Sequence, residues 1–329
     1  KENRLSSYRK PMVVVGLLCA LSLVGSVVGE TRPLSLVQGK PYFSGISYGP
    51  FRDGQAPGGV QPTTEEIRQD LQLLKDRWSA IRVYGSDPFA RQICEVIRED
   101  KLPLKVMVGA WIDKPEAEEA NRAQVENAIM IANDFPDVVC AVSVGNETQV
   151  FWSFHPIGAD QLIAYIREVR SKTQVPVTVA DDFLFWIDPS SQKVAAELDF
   201  IVTHIYAMWH AQQLDNAIAF TQEKLEEVKK AHPDKLIVVG ELGWATEKGS
   251  GGDQAERLLG AANEDAQAEF YRQFCDWVDR EQVSTFYFSA FDENWKGGPD
   301  PKDAEKHWGL FRTDRTPKPA LANLEAAGH

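Results

Sequence analysis

From residue 41 onward, eight short apolar runs rich in β-branched residues alternate with amphipathic stretches of helical spacing, and this alternation restricts the chain to folds built from strand–helix units on a parallel sheet. The expected strands cover residues 42–48, 80–84, 103–110, 138–145, 175–180, 200–206, 235–240 and 284–291. Helical patterns run over 64–77, 88–99, 115–133, 159–171, 190–198, 214–230, 265–280 and 319–327. Thr64-Glu65-Glu66-Ile67 reads as a helix start, with a threonine cap and acidic residues where the helix dipole favours them. Eight such pairs match a (β/α)₈ TIM barrel, whose usual length is about 250 residues, so a single α/β domain over 34–329 is expected. A doubly wound open sheet is the alternative. It carries a glycine-rich phosphate loop after its first strand, whereas Ser47-Tyr48-Gly49-Pro50-Phe51-Arg52 holds no Gly-x-Gly-x-x-Gly.

Residues 1–33 form a separate unit. Arg4, Arg9 and Lys10 precede an uncharged apolar run from Met12 to Val28, closed by Gly29-Glu30-Thr31-Arg32-Pro33. A basic flank before an apolar run predicts export, either as a cleaved signal peptide or as an N-terminal membrane anchor, with the rest of the chain outside. The protein is then expected in the periplasm or extracellular space, or tethered facing outward, with no membrane contact except through this segment.

Charge narrows the partners. A net charge of -13 opposes nucleic acid, which is bound by neutralising phosphates with Lys and Arg. A neutral polymer is compatible, and a monomer is expected. Cys94, Cys140 and Cys275 leave an odd number in the exported part and read as buried thiols. No Cys-x-x-Cys or His-x-x-x-His spacing suggests a metal, and no cofactor is expected.

Two strands end alike. Val138 to Glu147 and Leu236 to Trp244 are both apolar runs ending in glycine, followed at once or one residue later by Glu241 or Glu147. A carboxylate at the end of a core strand is costly to desolvate unless it is paired or used. In a barrel the site forms where strands end, which collects Tyr48, Tyr84, Trp111, Asn146 with Glu147, Asp181 with Asp182, Tyr206, Glu241 with Trp244, and Asp292 with Glu293. This rim is aromatic and acidic. Ala141, Ser143, Gly145 and Glu147 share one strand face, leaving room beneath the glutamate, and strands four and seven stand across the barrel mouth. Two carboxylates over an uncharged aromatic cleft suit glycosidic bond cleavage, one as acid and the other supporting the oxocarbenium-like centre. A non-catalytic glucan-binding barrel would need neither glutamate. A dehydratase or aldolase on this fold would call for metal ligands or a strand-end lysine, which no strand here supplies.

Gly145-Asn146-Glu147, Gly240-Glu241-Leu242-Gly243-Trp244 and Phe291-Asp292-Glu293-Asn294-Trp295-Lys296 together resemble glycoside hydrolase family 17, retaining β-1,3-glucanases and β-1,3-glucanosyltransferases. Gly45-Ile46-Ser47-Tyr48-Gly49-Pro50, Ile81-Arg82-Val83-Tyr84 and Trp308-Gly309-Leu310-Phe311 extend the resemblance over about residues 41–322. Gly49-Pro50-Phe51-Arg52-Asp53-Gly54 and Phe291-Asp292-Glu293 have the cast of bacterial members. The resemblance implies Glu147 as acid/base, Glu241 as nucleophile, and Asn146 on the sugar 2-hydroxyl. It further implies Tyr206 against the nucleophile and Glu293 paired with Lys296 beside the acid; Tyr48, Tyr84, Asp182 and Trp244 complete the expected substrate contacts. Phe151-Trp152, Asp181 to Trp186 and Tyr206 to His210 place aromatics where an acceptor sugar would lie, which keeps open glucanosyl transfer beside hydrolysis, or a cleft shortened to an exo-like pocket.

Overall fold

The computed structural model describes residues 31–322. Within them eight strands close into a parallel barrel in chain order, β1 pairing with both β2 and β8. The strands are β1 (Ser44–Ser47), β2 (Ala80–Arg82), β3 (Lys105–Ala110), β4 (Val139–Asn146), β5 (Val177–Asp182), β6 (Ile201–His204), β7 (Ile237–Glu241) and β8 (Thr285–Tyr287). Around them run α1 (Thr64–Leu74), α2 (Pro88–Glu99), α3 (Glu118–Asp134), α4 (Ala159–Lys172), α5 (Phe183–Ile187), α6 (Gln192–Ala195), α7 (Leu214–Ala231), α8 (Gly252–Arg257) and α9 (Glu264–Glu281). The fold is the (β/α)₈ barrel.

Strand alternation divides the apolar residues into two layers. Ile46, Ile81, Val108, Val142 and Val239 join the layer shared with the helices. Ala80, Met107, Ala141, Val202, Val238 and Phe286 fill the barrel, and Leu34, Leu36 and Phe43 close it at the end where the strands begin. Arg32 fastens the incoming chain at that end: its backbone N–H donates to Asp199, and its guanidinium to the carbonyls of Val175 and Arg170. The opposite end is left for the site. Gly240 permits the tight β6–β7 approach, since a Cβ there would stand 2.1 Å from Val202 Cγ1.

Several boundaries differ from the sequence expectation. The cap of α1 is Thr63, one residue before Thr64; its hydroxyl accepts from Glu66 N–H while the Glu66 carboxylate accepts from Thr63 N–H, a complete capping box. The 284–291 run leaves the ladder after Tyr287 because residues 289–291 bond to the returning segment, Ser289 to Trp308 and Phe311 to Ala290. The 115–133 helix opens with a 3₁₀ turn at Pro115–Ala117, and the 190–198 pattern contracts to Pro189–Ser191 and α6. Helices α5 and α8 were not anticipated; α5 is too short for periodicity to register and is started by the Asp182 cap. The last pattern is helical over 319–322, its remainder lying outside the described residues. The apolar 12–28 run also lies outside them, and among the described residues no helix is long and apolar enough to cross a membrane. Cys94 and Cys140 are buried free thiols, both pushed up to about 12 by burial, whereas Cys275 is half-buried.

Candidate active site

A cavity of about 490 Å³ opens where the strands end, and both Glu147 and Glu241 line it. Glu147 is delivered by an unusual backbone turn. Gly145 has φ +82° and Glu147 φ +48°, so β4 leaves its ladder through two left-handed residues. For a residue with a Cβ that conformation costs roughly 1–2 kcal/mol. A Cβ at Gly145 would in addition stand 3.2 Å from Thr148 Cγ2. The Gly145→Ala variant is therefore expected to lose about 1–2 kcal/mol in urea unfolding, and to lose activity further by shifting Glu147. Asp181, buried behind this turn, steadies it by accepting the N–H groups of Gln149 and Asp182. Burial, then the neighbouring Glu147 charge, pushes the Asp181 carboxyl up to about 8.

Glu241 ends β7 and is only 5% exposed. Its Oε1 accepts from Arg82 Nη1 at 2.5 Å and its Oε2 from the Tyr206 hydroxyl at 2.6 Å. Burial alone would raise this carboxyl. The His204 and Arg82 charges and the Tyr206 and Arg82 hydrogen bonds outweigh it and hold the group at about 2. Arg82, fully buried on β2, also donates from Nη2 to Asn146 Oδ1 at 2.6 Å and stacks over the Tyr84 ring. The Asn146 oxygen is thus committed to Arg82, and its amide NH₂ keeps two donors. His204 ends β6 with Nδ1 2.9 Å from Glu147 Oε1 and Nε2 3.4 Å from Glu241 Oε1, so one imidazole spans both carboxylates. Burial and then the Glu241 charge push the Tyr206 hydroxyl well above its ordinary range.

The structure brings together Tyr84, Asn146, Glu147, Asp182, Tyr206, Glu241 and Lys296 on the cavity wall. Asp182 is raised to about 7, chiefly by burial. Glu293 lies buried behind the wall; it pairs with Lys296 at 2.6 Å and accepts from the Trp295 indole, holding the ammonium 4.7 Å from the Phe288 ring centroid. Two expected contacts are corrected. Tyr48 shares the outward face of Ile46 and is buried toward α1, its hydroxyl donating to Asp70 at 3.0 Å, within a network completed by Arg315. Trp244 packs against Phe270 behind β7 and donates to the Ala261 carbonyl. Neither lines the cavity.

Residues not anticipated include Arg82, His204, Phe288, Glu305 and Trp308. A charged Arg82 inside an apolar strand was a legible signal. Glu305 comes from the loop after β8, where no strand end marks it; burial and then the balance of nearby charges place its carboxyl at about 7. Trp111, Trp152, Phe154 and Trp209 extend the wall as aromatic faces, Phe154 being 88% exposed. Among the described residues no cluster of three or more His, Cys, Asp or Glu is arranged to hold a metal.

A family model described as the BtgE/BtgC glycoside hydrolase domain matches residues 45–309. The glucan 1,3-beta-glucosidase of Arthroderma benhamiae is 25% identical over 275 residues, covering 80% of this chain and 86% of that protein. The protein of the same name from Schizosaccharomyces pombe is 27% identical, covering 79% and 81%. A putative glucan endo-1,3-beta-glucosidase btgC of Aspergillus niger is 27% identical over 87% of this chain, which spans only 44% of that longer protein. Among solved structures, an endo-laminarinase from Formosa Hel1_33_131 superposes with TM-score 0.77 at 25% identity, covering 88% of this chain and 87% of that one. A β-1,3-glucanosyltransferase from Rhizomucor miehei superposes at 0.69 with 24% identity, covering 85% and 96%, a likeness of fold.

Proposed function

The chain belongs to the family of the BtgE/BtgC glycoside hydrolase domain and is a glycosidase of the family 17 type, and from that premise we propose that it cleaves β-1,3-glucan with retention of configuration. In this reading Glu147 is the acid/base and Glu241 the nucleophile. The names of the relatives, glucan 1,3-beta-glucosidases and an endo-laminarinase, support the substrate class. One observation carries the mechanism: a single imidazole contacts both carboxylates, while only Glu241 is clamped by a buried guanidinium and a phenol. That difference in surroundings separates an anion from a proton carrier, which is how two like carboxyls take two roles.

These positions support double displacement. Glu241 attacks the anomeric carbon as Glu147 gives its proton to the departing glycosidic oxygen, leaving a glycosyl ester and a Glu147 carboxylate. Water then loses a proton to Glu147 and attacks the same carbon, releasing Glu241 as the anion that Arg82 and Tyr206 stabilise. Asn146 is assigned to the sugar 2-hydroxyl. Tyr84, Asp182 and Lys296 are assigned to substrate contact, with Glu293 fixing the lysine.

The aromatic faces of Trp111, Trp152 and Trp209 favour a second outcome at the same residues, transfer to an acceptor sugar stacked where water would enter. Sizing the products from laminari-oligosaccharides separates the two. Shorter sugars alone are the expected result for a hydrolase, products longer than the substrate mark the transferase, and no change in size overturns both. The basic flank and apolar 12–28 run support export of the 34–329 domain behind a signal peptide or anchor.

A further inference from the structure

His204 is completely buried, and its Nε2 has no hydrogen-bond partner although it faces Glu241 Oε1 at 3.4 Å. A neutral imidazole has one donor and one acceptor nitrogen. If its proton sat on Nδ1, the Nε2 lone pair would face an anionic oxygen in a site shielded from water, a repulsive arrangement. Two states avoid that conflict. In one, an imidazolium lies between two carboxylates. In the other, a neutral ring keeps its hydrogen on Nε2 toward Glu241 and accepts at Nδ1 from a protonated Glu147. Both contain the same number of protons and differ in the place of one: breaking Nδ1–H and forming Oε1–H takes the ring from +1 to neutral and Glu147 from −1 to neutral. The 2.9 Å Nδ1 to Oε1 contact is short enough for that transfer.

The charged groups around the ring come from four other strands. Glu147 follows β4, Glu241 ends β7, Arg82 lies on β2, and Asp181 and Asp182 end β5. Burial and Arg82 oppose a charged ring; the two glutamates oppose them and win, so His204 binds its proton more tightly than an ordinary histidine.

We propose that His204 is a positioning residue that couples the two carboxylates: it keeps Nε2–H toward Glu241 and shares a proton with Glu147 through Nδ1, so that the protonation of Glu147 follows the charge on Glu241. This rests on the acid/base and nucleophile assignment above. When Glu241 becomes a neutral glycosyl ester, the anion that holds the ring's charge is gone, and the ring's proton affinity falls as Glu147 turns to its role as base.

The test compares kcat/KM against pH for the full chain and its His204→Asn variant on laminari-oligosaccharides. Asparagine retains a donor near Glu147 but carries no charge. Loss of the cation raises both carboxyls, so both limbs of the profile are expected to move to higher pH by about one unit or more. Limbs that stay in place while kcat alone falls would mean that His204 is structural, and would overturn the coupling. A second measurement needs no variant. In the wild-type chain labelled with ¹⁵N-histidine, trapping Glu241 with a 2-deoxy-2-fluoroglucosyl donor is expected to move the His204 titration to lower pH, and an unchanged titration would reject the proposal. A Glu241→Gly variant distinguishes the two failures: if it retains activity, the catalytic assignment itself is wrong, whereas if it is inactive with the His204→Asn limbs unmoved, only the coupling is.

Discussion

Glu241→Gly is expected to lower hydrolysis of laminari-oligosaccharides by roughly 10⁴-fold or more, the scale on which removal of a covalent nucleophile acts. Azide should restore turnover of an aryl β-laminaribioside. The small anion fits the space the carboxylate leaves and replaces its charge beside Arg82 and Tyr206, and it attacks the anomeric carbon from the face the carboxylate used. The product is then an α-glycosyl azide. Glu147→Ala should behave differently: an aryl leaving group needs no proton, so the first step survives, and azide intercepts the glycosyl ester from the opposite face to give the β-glycosyl azide. Kinetics with the anomer identified by NMR check both. Activity of Glu241→Gly near the wild-type level without azide would remove it from the chemistry.

Arg82→Met carries the largest expected effect on stability. The guanidinium is buried and bonded to Glu241 and Asn146, and removing it leaves an uncompensated carboxylate at the base of the cavity. Breaking a buried pair in this way costs about 3–5 kcal/mol, to be read from urea unfolding at neutral pH. The sign of the pH dependence follows from Glu241. Its folded value of about 2 lies below the ordinary 4.5, so its ionisation contributes stability that is fully present above about 4.5 and is lost as the pH falls toward about 2. Without Arg82 the folded value rises, and the variant should lose much of that acid-side dependence. A variant as stable as the wild type, with the same acid profile, would show that the Arg82 contact contributes little.

The architecture was legible because each strand carries a run of apolar residues and each major helix carries its own period, so local pattern and global fold agree. The placing of Glu147 and Glu241 on one cavity wall was legible for the opposite reason: a glycine and a carboxylate at the end of an apolar run break the local rule, and such breaks concentrate at functional sites. Side-chain direction was harder to read. Tyr48 closes β1 as the rim argument requires, yet it follows the inward Ser47 and so points to the helices, where Asp70 and Arg315 engage it. Trp244 lies three residues past its strand, far enough for the chain to fold behind β7. His204 looked like any polar residue in an apolar strand; its significance depends on β4 and β7 bringing two glutamates to its two nitrogens. Glu305 and Trp308 reach the cavity from a segment without strand period, which sequence pattern cannot place.

The claim on which the rest depends is that Glu241 bonds to the anomeric carbon while Glu147 moves the proton. Incubation with a 2-deoxy-2-fluoro-β-laminaribiosyl donor bearing a good leaving group, followed by proteolysis and peptide mass mapping, tests it directly. The predicted result is one equivalent of glycosyl ester on the peptide containing Glu241, absent from the Glu241→Gly variant. Ester on Glu147 or another carboxylate, or an unlabelled enzyme whose natural product emerges with inverted configuration, would contradict the account.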